Sequence, residues 1–66
     1  MSKLTELYNK VFDEGGNVRL CGRQACIDLM AELSKYTDAP LGNMTTGTMD
    51  VVAVKKAYMM EMKNND

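Results

Sequence analysis

A chain of 66 residues with a formal net charge of -1 has room for one small domain, residues 1–66, and not for two. The near-neutral charge excludes the strong basic field that draws proteins to nucleic acid or anionic membranes, and no apolar run approaches the ~20 residues of a membrane span. A chain this short buries only about 60% of its unfolded surface, so its core is thin and a partner or second copy is a natural source of stability.

Leu4, Leu7, Tyr8, Val11 and Phe12 recur at the spacing of a core-facing helical stripe, with Glu6, Asn9, Lys10 and Asp13 opposite. The pattern predicts a first helix over about residues 3–13, with Ser2 as its N-cap and Gly15-Gly16 supplying a left-handed residue at its end. Residues 17–22 read two ways. Val18 and Leu20 alternate with polar neighbours as in a short strand, yet Asn17 could cap a helix that tolerates Gly22.

From Arg23 the helical pattern is clear and predicts a second helix over 23–36. Cys26, Leu29, Met30, Leu33 and Tyr36 share its core face, whereas Ile27 projects roughly 160° away from Leu29, toward solvent. Pro40 forces Ala39 out of helical geometry, and a loop rich in Gly and Thr follows. Met44–Thr46 could form a brief strand whose only evident partner is Val18–Leu20, a minor two-stranded pairing of 44–46 with 18–20.

Thr48 or Asp50 can cap a third helix over 49–63. Val51, Val54, Tyr58 and Met62 line its core face, widened by Val52 and Met59, and Met60 lies about 180° from Val51. Three amphipathic helices predict an all-α, small three-helix bundle. The connection of about ten residues before the third helix exceeds the 3–4-residue turn of a helix-turn-helix DNA reader.

Chemistry-bearing residues are few. Cys21 and Cys26 stand five apart, which fits neither the spacing of a redox motif nor, without histidine, a tetrahedral zinc site. Cys26 reads as a small core residue. Cys21, between Arg19 and Arg23, is the candidate reactive thiol, because neighbouring cations favour the thiolate. Arg19 and Arg23 would share a face if their segment is helical, and could then receive a phosphate or a partner's carboxylate. As ordinary surface charges they would instead pair with Asp28, Asp13 or Glu14.

Gly42-Asn43-Met44-Thr45-Thr46-Gly47 has the glycine spacing of a phosphate loop but lacks the lysine that such a loop requires, and reads as an ordinary connection. With no histidine, no framed carboxylate pair and little room for a ligand cavity, the chain does not read as an enzyme, and no catalytic residue, metal or cofactor is expected.

The reading that follows is a small non-enzymatic interaction protein that binds a larger protein through Arg19, Arg23, Ile27 and Met60 and alters its activity. Seven methionines suit an adaptable contact surface. Very small chains of this kind are common among bacterial and phage-encoded regulators and inhibitors, an association of size class alone. A homodimer is a further option. The alternatives are a nucleic-acid binder using Arg19, Arg23, Lys55 and Lys56, and a thiol sensor at Cys21 and Cys26. A polar N-terminus without an export signal leads to the expectation of a cytoplasmic protein with reduced thiols and no membrane partner.

Overall fold

The computed structural model describes residues 3–20 and 22–64. Helix α1 spans Lys3–Val11, α2 spans Gly22–Leu33 and α3 spans Val51–Asn64. A small antiparallel hairpin, β1 Gly42–Asn43 and β2 Thr48–Met49, lies between the second and third helices. The three-helix architecture read from the sequence is present. The proposed caps and thiol at Ser2 and Cys21 fall outside the described residues.

The stripe on α1 does what its spacing dictates. Leu4, Leu7, Val11 and Phe12 are buried, and they meet Leu29, Met30 and Leu33 of α2 in one core completed by Leu41 and Val54. Tyr8 sits at the margin, stacked on Tyr58 of α3 with ring centroids 3.7 Å apart and planes 7° from parallel. The Tyr58 hydroxyl donates to Thr5 Oγ1 at 3.3 Å, joining α3 to α1. The Cα radius of gyration, 10.7 Å, matches the ~10.8 Å expected of a folded chain this long.

Both early helices are shorter than their predicted spans. Helix α1 ends at Val11, two residues before the expected end at Asp13, with Phe12 N–H making the last α-helical bond, to the Tyr8 carbonyl at 2.8 Å. Asp13 instead organises a tight turn, its Oδ1 accepting the N–H groups of Gly15 and Asn17 at 2.9 Å each. Gly16 completes the turn at φ +79°, a conformation glycine adopts without steric cost. The end of α2 comes at Leu33 rather than at residue 36. Lys35 and Tyr36 donate to the carbonyls three residues back, so the last turn tightens into 3₁₀ geometry. That tightening rotates Tyr36 off the core stripe, where it was expected, and leaves it about half exposed.

The minor strand pairing exists, but not between 18–20 and 44–46. Asp13's turn folds the chain straight back, so Val18 forms a single bridge with Phe12. Residues 44–47 are the turn of the hairpin, not one of its strands, because Asn43 Oδ1 accepts the N–H groups of Thr45 and Thr46. Gly42 pairs with Met49 and Asn43 with Thr48. Just outside the ladder, Asp50 N–H donates to the Leu41 carbonyl at 2.7 Å, which seats Leu41 in the core. Asp50 also caps α3, its Oδ1 accepting Ala53 N–H at 3.2 Å. α3 accordingly starts at Val51, two residues later than predicted.

Val52 and Met59 do not widen the core face of α3. They are 75% and 66% exposed, because the helix rests on the core through Val51, Ala53, Val54, Ala57 and Tyr58, and both residues lie on the side of the helix away from these contacts.

Candidate functional site

Of the residues singled out as a partner-binding corner, the two arginines are held by different parts of the fold. Arg19 precedes α2 rather than belonging to it, so it does not share a helical face with Arg23. Its backbone N–H donates to the Val11 carbonyl at 2.7 Å, and its Nε donates to the carbonyls of Asn9 at 3.0 Å and Phe12 at 3.2 Å. These are carbonyls of the last turn of α1 and its continuation, which lack helical partners and carry the negative end of the helix dipole. A cation there acts as a C-cap.

Arg23, in the first turn of α2, lays its stem across the hairpin turn. A Cβ at Gly47 would collide with Arg23 Cγ, so the absence of a side chain at Gly47 makes room for this packing. Two of the three carboxylates expected to pair with the arginines, Asp13 and Asp28, have other occupations. Asp13 holds its own turn, and Asp28 Oδ1 accepts from Gln24 Nε2 at 2.9 Å. Lys55 is likewise drawn inward, with its Nζ 5.6 Å from the centre of the buried Phe12 ring, a cation–π distance.

Ile27 is half-buried rather than standing on a fully wet face, and Cys26 is half-buried against the core as expected of a small core residue. Cys21, the candidate reactive thiol, lies outside the described residues, so its half of a thiol sensor has no described geometry. Among the described residues no cluster of three or more His, Cys, Asp or Glu side chains is placed to hold a metal ion.

Among the depressions that the described residues form, three adjoin titratable or candidate residues. The first, about 320 Å³, lies between Lys3 and Lys35 over Glu32. Glu32 is buried, and its Oε1 meets Lys35 Nζ at 3.0 Å and Lys3 Nζ at 3.9 Å, so this carboxylate is satisfied by cations of its own chain. The pattern underrated Glu32; at about 60° from Leu29 it lies on the edge of the core stripe. The second, about 570 Å³, runs over the Tyr8–Tyr58 stack and mixes Asp13 and Glu14 with Lys55 and Lys56. Burial, and then the neighbouring Tyr58, raise the Tyr8 hydroxyl above the ordinary tyrosine range.

The third, about 280 Å³, is the most apolar in lining, and it is where Met60 lies. Ala53 and Ala57 form its floor, Met60 and Lys56 one side, and Thr37 and Ala39 the other. Residues 53, 57 and 60 follow the i, i+4, i+7 spacing of one helix face. Met60 is 57% exposed, as its position opposite Val51 requires. Val52 and Met59, also exposed, lie on α3 beyond Lys56 from this groove, and Met59 lines the second depression. Ile27, on α2, is not among the residues that line the groove.

The exposed surface of α3 is therefore broader than Met60 alone. Its breadth was legible as Val51, Val52, Ala53, Val54, Ala57, Tyr58, Met59, Met60 and Met62 surrounding one helix, an apolar arc wider than a single core contact can cover. Leu20, 108% exposed at the end of the Val18–Leu20 segment, is a further large apolar side chain in water. No helix among the described residues is long and apolar enough to cross a membrane. No family model matches the chain, and no curated protein or solved structure shows significant similarity to it.

Proposed function

We propose that this chain is a small non-enzymatic interaction protein that binds a larger protein and modulates its activity. The observation that carries the reading is α3, which has apolar side chains around its whole circumference but packs on one side. A helix apolar all round ordinarily belongs inside a structure. Here Val52, Met59 and Met60 are each more than half exposed, along 14 residues of a 66-residue chain. Scattered exposed apolar residues are ordinary, whereas a run of them on one element is the mark of a contact surface. Methionine suits that role because its unbranched side chain adapts to a partner's contour.

The nucleic-acid alternative draws less support. Arg19 caps α1 and Lys55 folds over Phe12, so two of its four cations are engaged within the chain, while the Arg23 stem packs over Gly47. The contact surface accordingly moves from the arginine corner toward α3.

The test is retention of a partner from a bacterial lysate by the tagged chain, with and without nuclease. The expected result is a discrete protein retained after nuclease and lost with the Val52→Ser/Met60→Ser double variant. Recovery of nucleic acid, with everything lost on nuclease treatment, would overturn the proposal, as would the absence of any retained protein.

A further inference from the structure

The outward side of α3 has a charge pattern that its apolar character alone does not convey. Taking 100° per residue, Lys56, Met60 and Lys63 fall within about 60° of one another, with Ala53 and Ala57 along one edge and Val52 and Met59 along the other. Both charged residues within that sector are lysines. Glu61 lies about 100° from Met60 on the flank, and Lys55 is turned back over Phe12. On the facing wall Asp38 stands between Thr37 and Ala39 but does not line the groove. The alanine floor admits close approach of another backbone, and the 280 Å³ groove has room for a large apolar side chain.

We infer that the groove between α3 and the Thr37–Ala39 segment receives an acidic amphipathic helix of a partner protein. Its apolar residues would sit over Ala53, Ala57 and Met60, and its carboxylates would face Lys56 and Lys63. This rests on the interaction reading above and assigns its partner a chemistry.

Charge decides between occupants. Two copies of this chain joined through the same face would bring four lysines together with no acid in that sector to receive them, and like charges across an interface oppose association. An acidic helix supplies the missing carboxylates. The groove's apolar floor also suits a side chain better than a phosphate backbone, whose recognition rests on charge and hydrogen bonding.

The experiment follows the amide and methyl NMR signals of the full chain during titration with three probes. These are a synthetic Leu/Glu amphipathic helical peptide, its Leu/Lys counterpart, and a 20-nucleotide single-stranded DNA. Sedimentation of the chain alone is measured in parallel. The expected result is perturbation of Ala53, Lys56, Ala57 and Met60 by the Leu/Glu peptide and not by the Leu/Lys peptide. The Lys56→Ala/Lys63→Ala variant should bind about fivefold more weakly, the scale of two exposed ion pairs.

The Lys56→Glu/Lys63→Glu variant should transfer the preference to the Leu/Lys peptide. Lys56 and Lys63 are both surface positions, and unchanged circular dichroism confirms that the variants fold. No response at the groove, equal response to both peptides, salt-sensitive response to DNA alone, or a dimer that shields the groove would each overturn the inference. If a protein is still retained from lysate by a contact elsewhere, the interaction reading survives while this assignment falls. If none is retained, both fall.

Discussion

Replacing Gly42 by alanine tests the part of the fold that places α3. Gly42 has φ +140°, a region entered almost only by glycine, where an L side chain costs roughly 1–3 kcal/mol. A Cβ there would also strike the Thr48 carbonyl oxygen and come within 2.8 Å of Met49 Cα and 3.0 Å of Asp50 N. These are backbone atoms of the paired strand and the α3 cap, so they cannot rotate out of the way. Forcing them apart should add about 1–3 kcal/mol, as overpacking does elsewhere.

Gly22 supplies the control. It too has a left-handed φ, +80°, but a Cβ there meets nothing within 4 Å, so Gly22→Ala should cost only the conformational term of about 1–2 kcal/mol. The two variants should therefore differ by about 2 kcal/mol, close to half of the ~3–5 kcal/mol that an unstapled core of this size supplies. Urea unfolding followed by far-ultraviolet circular dichroism measures the difference. With a slope near 1 kcal/mol per molar, the midpoints should lie about 2 M apart. Equal midpoints would refute the claim that backbone crowding at the hairpin, beyond the sign of φ, fixes Gly42.

Two further outcomes follow from side chains whose roles the structure reassigns. Arg19→Ala should lower stability by about 1 kcal/mol, through loss of the hydrogen bonds and charge at the end of α1, and lower Tm by about 4–8 °C. A thermal melt indistinguishable from wild type would show that Arg19 does not cap the helix. Tyr8 should ionise above the ordinary tyrosine range, as followed by absorbance at 295 nm. Because its folded pKa is raised, the native state holds the proton more tightly than the unfolded chain. This contribution to stability is complete below pH ~10 and declines as pH rises through the folded pKa. Tyr8→Phe should flatten that alkaline decline, and an unchanged decline would assign it to other groups.

The amino-acid pattern by itself determined the helices and much of the core. Leu4, Leu7, Val11 and Phe12 on α1, and Leu29, Met30 and Leu33 on α2, are buried as their spacing requires, because periodicity is a local property of one element. Met60 was legible as an outward apolar residue for the same reason. Periodicity does not say which part of a broad apolar arc the neighbours will cover. Val52 and Met59 were thus assigned to the core, although α3 packs through Val51, Ala53, Val54, Ala57 and Tyr58 and leaves them in water.

Tertiary geometry alone decided the arginines. Their spacing allowed a shared helical face, but Asp13's turn carries Arg19 back to the end of α1, while α2 points Arg23 at Gly47. It also decided the groove, whose walls stand 17–23 residues apart in the chain. Each of these depends on where separate elements meet, which no pattern within a single element encodes.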